Sequence, residues 1–136
     1  MGELTDETAR AIGEGLLAGT WPVAEWRHPH HCVATAWLIL ERKDVDLDAE
    51  LPGIIRRYNV AQGGKNTDSA GYHHTITVFY LGKIRAFLAG LPEGLGVAES
   101  CRRLLASPLG DKDHVLSVYS REVLFTPRAR LGWVAP

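Results

Sequence analysis

Apolar residues recur at helical spacing in five blocks along the chain, and glycine or proline separates the blocks. Thr5 or Asp6 can cap a first helix that runs to about Leu17, with Ala9, Ile12, Leu16 and Leu17 on one face. Gly13 and Gly15 weaken its second half, and Gly19-Thr20-Trp21-Pro22 ends it. A second helix starts near Pro29, where a missing N–H costs little. Residues Val33 to Leu40 are almost continuously apolar, so this helix should be central. Arg42-Lys43-Asp44 closes it.

Asp48 or a neighbour opens a third helix, with Leu51, Ile54, Ile55 and Tyr58 at helical spacing and Gly63-Gly64 at its end. Pro52 and Gly53 blur its start. The polar loop GGKNTDSAGYHHT follows, and a long helix is expected from about Ala70 to Ala89. The stripe His73, Ile76, Thr77, Tyr80, Ile84, Phe87 and Leu88 marks its buried side. A fifth helix covers about Val97 to Ala106. Two short candidates remain, Lys112 to Tyr119 and Pro127 to Leu131, the latter capped by Thr126. No alternating pattern competes over more than a few residues. The expected fold is all-α: one domain over 1–136, an irregular bundle of about five main helices with short C-terminal helices.

Composition adds exclusions. Of 136 residues, 46% are hydrophobic and 23% charged, as in ordinary globular domains. The formal charge of -1 gives no reason to expect nucleic acid. The acidic start GELTDETARAIGEG has no basic region followed by an apolar core, and no apolar run is long enough to span a bilayer. Cys32 and Cys101 form no disulfide framework. The expectation is a cytoplasmic protein without membrane contacts, as monomer or homodimer.

Candidate chemistry gathers in WRHPHHC, residues 26–32, which holds three of the six histidines. His28 and His31 are three apart, so a helix projects them from one side. Neutral imidazoles one turn apart can ligate zinc, iron or manganese. With Pro29 as first helical residue, His28 would be the N-cap. His30 would point elsewhere, to solvent, and Cys32 would be a small core residue. His73, in the first turn of the long helix, heads a buried stripe and needs a partner. If these two helices pack together, His28, His31 and His73 converge as three metal ligands. Tyr72 adjoins His73 and could supply a phenol, whereas His74 faces solvent. Asp111 could be a ligand, orient a ligating histidine or cap a short helix, and Arg121 could grip a carboxylate or phosphate or pair with Glu122 or Glu25.

The segments EWRHPHH (25–31), GIIRRYN (53–59), NTDSAGYHHTIT (66–77), SPLGDK (107–112) and YSREVLFTP (119–127) together resemble a family of small uncharacterised bacterial proteins. Its members read EWTHxxH, GIRRYN, NTxxxGYHETIT, SxLxDK and YSRExLFSP. The matching positions are His28, His31, Tyr72, His73, Asp111, Lys112, Ser120 and Arg121. The chain departs at Arg27 and at His74, where the family pattern has Thr and Glu. The resemblance implies no reaction, but it groups the histidines as one site.

Three readings follow. The first is a helical protein with a divalent-metal site on His28, His31 and His73, which could make it a metal-dependent enzyme, and with Tyr72, Asp111, Lys112, Ser120 and Arg121 toward a substrate. The second is a metal-free module in which Tyr72, Lys112 and Arg121 recognise a small anionic metabolite. The third is a structural or oligomerisation protein whose histidines are hydrogen-bonded core residues.

Overall fold

The computed structural model describes residues 2–136. Among the described residues there are seven α-helices and no strand. The five main helices are α1 (Asp6–Ala18), α2 (His28–Glu41), α3 (Leu47–Ala61), α4 (His74–Ala89) and α5 (Val97–Ala106). Two short ones follow, α6 (Arg121–Leu124) and α7 (Pro127–Leu131), with 3-10 turns at Val23–Glu25, Pro108–Gly110 and His114–Ser117. The all-α expectation holds. Among the described residues, no helix is long and apolar enough to cross a membrane.

Capping chemistry sets most helix ends. The Thr5 hydroxyl accepts the Thr8 N–H at 3.1 Å, and Asp6 and Glu7 follow in the first turn, where negative charge suits the helix dipole. Gly19, at φ 71°, closes α1 in the left-handed region. The start of α3 is clearer than Pro52 suggested. Asp46 accepts from Ala49 N–H, and the Glu50 carboxylate takes the Asp46 N–H at 2.7 Å. This reciprocal pairing starts the helix before the proline, at Leu47. The α5 cap was not visible locally. Gly96 has no side chain to offer, so Asp6 of α1 accepts the Ala98 N–H at 2.8 Å. One residue thus begins α1 and caps α5.

The long helix is shorter than its sequence pattern. It begins at His74, and residues 66–73 stay in the loop. His73 is its N-cap, and its ring nitrogen replaces the usual serine or aspartate oxygen. The expected helix at Lys112–Tyr119 reduces to the 3-10 turn His114–Ser117. Helix α6, which the pattern missed, starts where Ser120 Oγ accepts the Val123 N–H.

Helix α2 is central, touching α1, α4 and α5. Its Val33, Ala34, Ala36 and Leu38 are fully buried. Its Trp37 ring lies against the backbone of α1 at Gly13, where an added Cβ would come within 2.2 Å of the ring. The glycine that weakens α1 is what lets the indole approach. One core cluster runs from Leu4 through α1–α5 to Leu124.

The chain after α5 has only short elements, and polar side chains of α2 and α4 hold it. His28 Nε2 donates to the Leu109 carbonyl at 2.9 Å. His73 Nε2 donates to the Leu124 carbonyl at 2.7 Å. The Tyr80 hydroxyl reaches the Asp111 and Lys112 carbonyls, each at 3.1 Å. Thr75 donates to Gly132 O and accepts from Val134 N–H.

The glycines of α1 and α4 give opposite predictions. Gly13→Ala should destabilise by about 1–3 kcal/mol, because the Trp37 ring must move. Gly82→Ala, with nothing within 4 Å of the new methyl, should stabilise by about 0.5–1 kcal/mol through helix propensity alone. Urea unfolding of the two variants measures both signs.

Candidate functional site

The site begins at the head of α2. Arg27 is the N-cap, in extended backbone, and His28 is the first helical residue. This corrects the expected N-cap at His28. The Arg27 N–H donates to His30 Nδ1 at 3.1 Å, so His30 completes the start of its own helix. His30 is buried at 6% exposure, not solvated as expected. Trp21 and Trp26, on the segment before the helix, fold back over it, with ring centroids 5.6 and 5.5 Å from its imidazole.

His31 has a different partner. Its Nε2 accepts the Trp26 indole N–H at 2.7 Å, which leaves the proton of the neutral ring on Nδ1. Burial, and then the neighbouring His28 and His30, push its pKa down to about 4. Cys32 is buried, with its sulfur 3.3 Å from His28 Nε2, and burial raises the thiol to about 12. It stays a protonated packing residue.

At the head of α4, His73 spends both ring nitrogens. Nδ1 accepts the Ile76 N–H at 3.2 Å while Nε2 donates to Leu124. Burial lowers its pKa. The Tyr72 hydroxyl bonds His74 Nδ1 at 2.8 Å, and the Arg56 guanidinium lies 4.5 Å above the Tyr72 ring. His74 is thus half-buried and bonded rather than solvated, because the loop returns Tyr72 to it.

These elements surround a cavity of about 650 Å³ between α2, α3, α4 and the loop that joins the last two. His28, His31, Tyr72 and His73 all line it, so the structure brings four of the sequence-selected residues to one space. Leu51, Ile55, Ile76, Leu81 and Ile84 form apolar wall, and Thr35, Asn59, Gln62, Lys65 and Tyr80 add polar groups. Sequence reasoning selected none of these polar residues for the site. The signal for Lys65 was present, because it lies in the most polar loop of the chain. Asn66 fixes that loop. Its side-chain oxygen accepts from Asn59 and from the Tyr72 N–H, both at 3.0 Å, and its amide donates to Arg56 O.

The other four candidates lie away from the cavity lining. Asp111 accepts the Asp113 N–H, Lys112 is exposed, Ser120 caps α6, and the Arg121 guanidinium lies 6.0 Å from the centre of the Phe125 ring. Among the described residues, no ion pair joins Arg121 to Glu122 or Glu25. Also among the described residues, no three His, Cys, Asp or Glu side chains are grouped so as to hold a metal ion.

The His31 environment makes stability depend on pH. The unfolded chain takes up a proton near the ordinary 6.5, and folded His31 only near about 4. Stability is therefore full above pH 6.5 and falls as pH drops toward 4, by up to roughly 3 kcal/mol from this group. His30 and His73, also lowered by burial, act in the same direction. His31→Gln, which keeps an acceptor for Trp26, should flatten this slope in urea unfolding across the same range.

Compared with family profiles, curated proteins and solved structures, the chain shows no match in any of the three.

Proposed function

We propose that the chain is a binding module for a small organic metabolite, held in the cavity between α2, α3 and α4. The observation that carries this reading is the cavity itself. Its size falls in the range of small-molecule sites, and its walls combine aliphatic side chains with polar groups. Bonds within the fold already use some of those groups. Gln62 accepts from Val23 N–H and donates to Gly19 O, and Tyr80 is bonded to the C-terminal segment. His31 Nδ1 and the Lys65 ammonium have no partner among the described residues. They are left to orient a ligand.

The same observation supports a second reading. His28, His31 and His73 border one cavity, so a divalent metal there is the alternative. It requires His73 to release Leu124 or the Ile76 N–H, and His31 to release the Trp26 indole or shed its Nδ1 proton. The recognition role proposed from sequence moves from Lys112 and Arg121 to Lys65, because Lys65 is the lysine among the residues that line the cavity.

Thermal unfolding against a metabolite library tests the first reading. A ligand at one hundred times its Kd should stabilise by about 2.7 kcal/mol without added metal. Thr35→Phe or Ile76→Phe, which fill the cavity, should abolish that shift while the free protein stays folded. Stabilisation by zinc, iron or manganese alone, lost in both His28→Ala and His31→Ala, would transfer the case to the metal.

A further inference from the structure

We infer that the cavity takes an amphipathic monocarboxylate, its apolar body against α3 and α4 and its carboxylate on Lys65. This rests on the small-molecule reading above and names the class of molecule. The first support is charge. The lining contains no aspartate or glutamate, and Lys65 is its one lysine or arginine. An ammonium ligand would find no counter-charge there, whereas a carboxylate would find one.

The lysine is available. The five ion pairs among the described residues use Arg10, Arg42, Arg85, Arg102 and Arg103, and none uses Lys65. Arg56, stacked on the Tyr72 ring that lines the cavity, is also without a carboxylate. Among the described residues, neither Lys65 nor Arg56 is in an ion pair, and Asp68, the carboxylate of this loop, lies outside the cavity lining.

The backbone of Lys65 is held in place from both sides. Gly64 N–H bonds Asn59 O at 2.8 Å, and Asn66 is anchored to α3 and to Tyr72. Across the loop, Gly71 at φ 80° packs so close that an added Cβ would fall 2.1 Å from the Lys65 carbonyl. The lysine thus starts from a fixed point on the cavity rim.

The same loop separates carboxylate from phosphate. Gly-Gly-Lys suggests a phosphate cradle, in which glycine N–H groups face the anion. Here the Gly63 N–H is spent on Val60 O and the Gly64 N–H on Asn59 O. The Tyr72 N–H is spent on Asn66. A single lysine with no free glycine N–H beside it suits a carboxylate better than the fuller shell of a phosphate dianion. The aliphatic wall of Leu51, Ile55, Ile76, Leu81 and Ile84 calls for an apolar body behind that head.

Titration calorimetry with octanoate, octanol and octylamine, each below its aggregation limit, tests the inference. Octanoate should bind about tenfold or more tighter than octanol, and octylamine should not bind detectably. Lys65→Met should weaken octanoate by about tenfold and leave octanol unchanged, while Lys65→Arg should retain most of the octanoate affinity. Octanol or octylamine binding as tightly as octanoate would overturn the inference, as would octanoate affinity untouched in Lys65→Met. Binding of none of the three would overturn it too. Nile red, a neutral apolar dye, then reads the cavity separately. Dye bound by the wild type and excluded by Thr35→Phe keeps the cavity reading, and dye bound by neither removes it.

Discussion

Side chains reaching from α2 and α4 to main-chain carbonyls hold the last quarter of the molecule. Helices α6 and α7 have four and five residues, too few to be stable alone. Leu109, Val115, Tyr119, Leu124 and Ala129 provide some core. The polar pins from His28, His73, Thr75 and Tyr80 fix where those side chains enter it. Each pin also satisfies a polar group that burial would otherwise penalise by about 1–3 kcal/mol. Docking and satisfaction are therefore one event, and the buried histidines belong to both.

This arrangement explains why a histidine-rich stretch can be structural and still border a cavity. His28 and His73 use their rings to tie down Leu109 and Leu124, and both also line the cavity. The cavity lies among α2, α3 and α4. The loop after α3 spans one end of it, held by Asn66 rather than by apolar packing. A polar bridge over a partly aliphatic hollow presents two unlike surfaces at once.

Much of the fold was legible because its helix ends carry local chemistry. Thr5, Thr126 and the Gly19 turn lie beside the helices they delimit, and α5 and α7 match their sequence pattern. Several failures trace to a partner distant in sequence or of an unusual type. An imidazole caps α4, so the pattern overran its start by four residues, from Ala70 to His74. His30 is buried because two tryptophans fold over it, which spacing alone does not reveal. At the site, helical spacing and the resemblance selected His28, His31, Tyr72 and His73, and the cavity gathers all four. Asp111, Lys112 and Ser120 read as chemistry in sequence, yet two of them matter through their backbone carbonyls and the third as a helix cap.

The carbonyl pins have an evolutionary consequence. A main-chain oxygen is the same atom whatever side chain its residue bears, so a pin aimed at one constrains position and not identity. The sequence after α5 is free to drift at its exposed positions while α2 and α4 keep their hold on it. Selection would then act on the reaching residues, His28, His73, Thr75 and Tyr80, more strictly than on the residues they grasp. Divergence in such a protein would accumulate at its C-terminal surface first, with the cavity wall left intact.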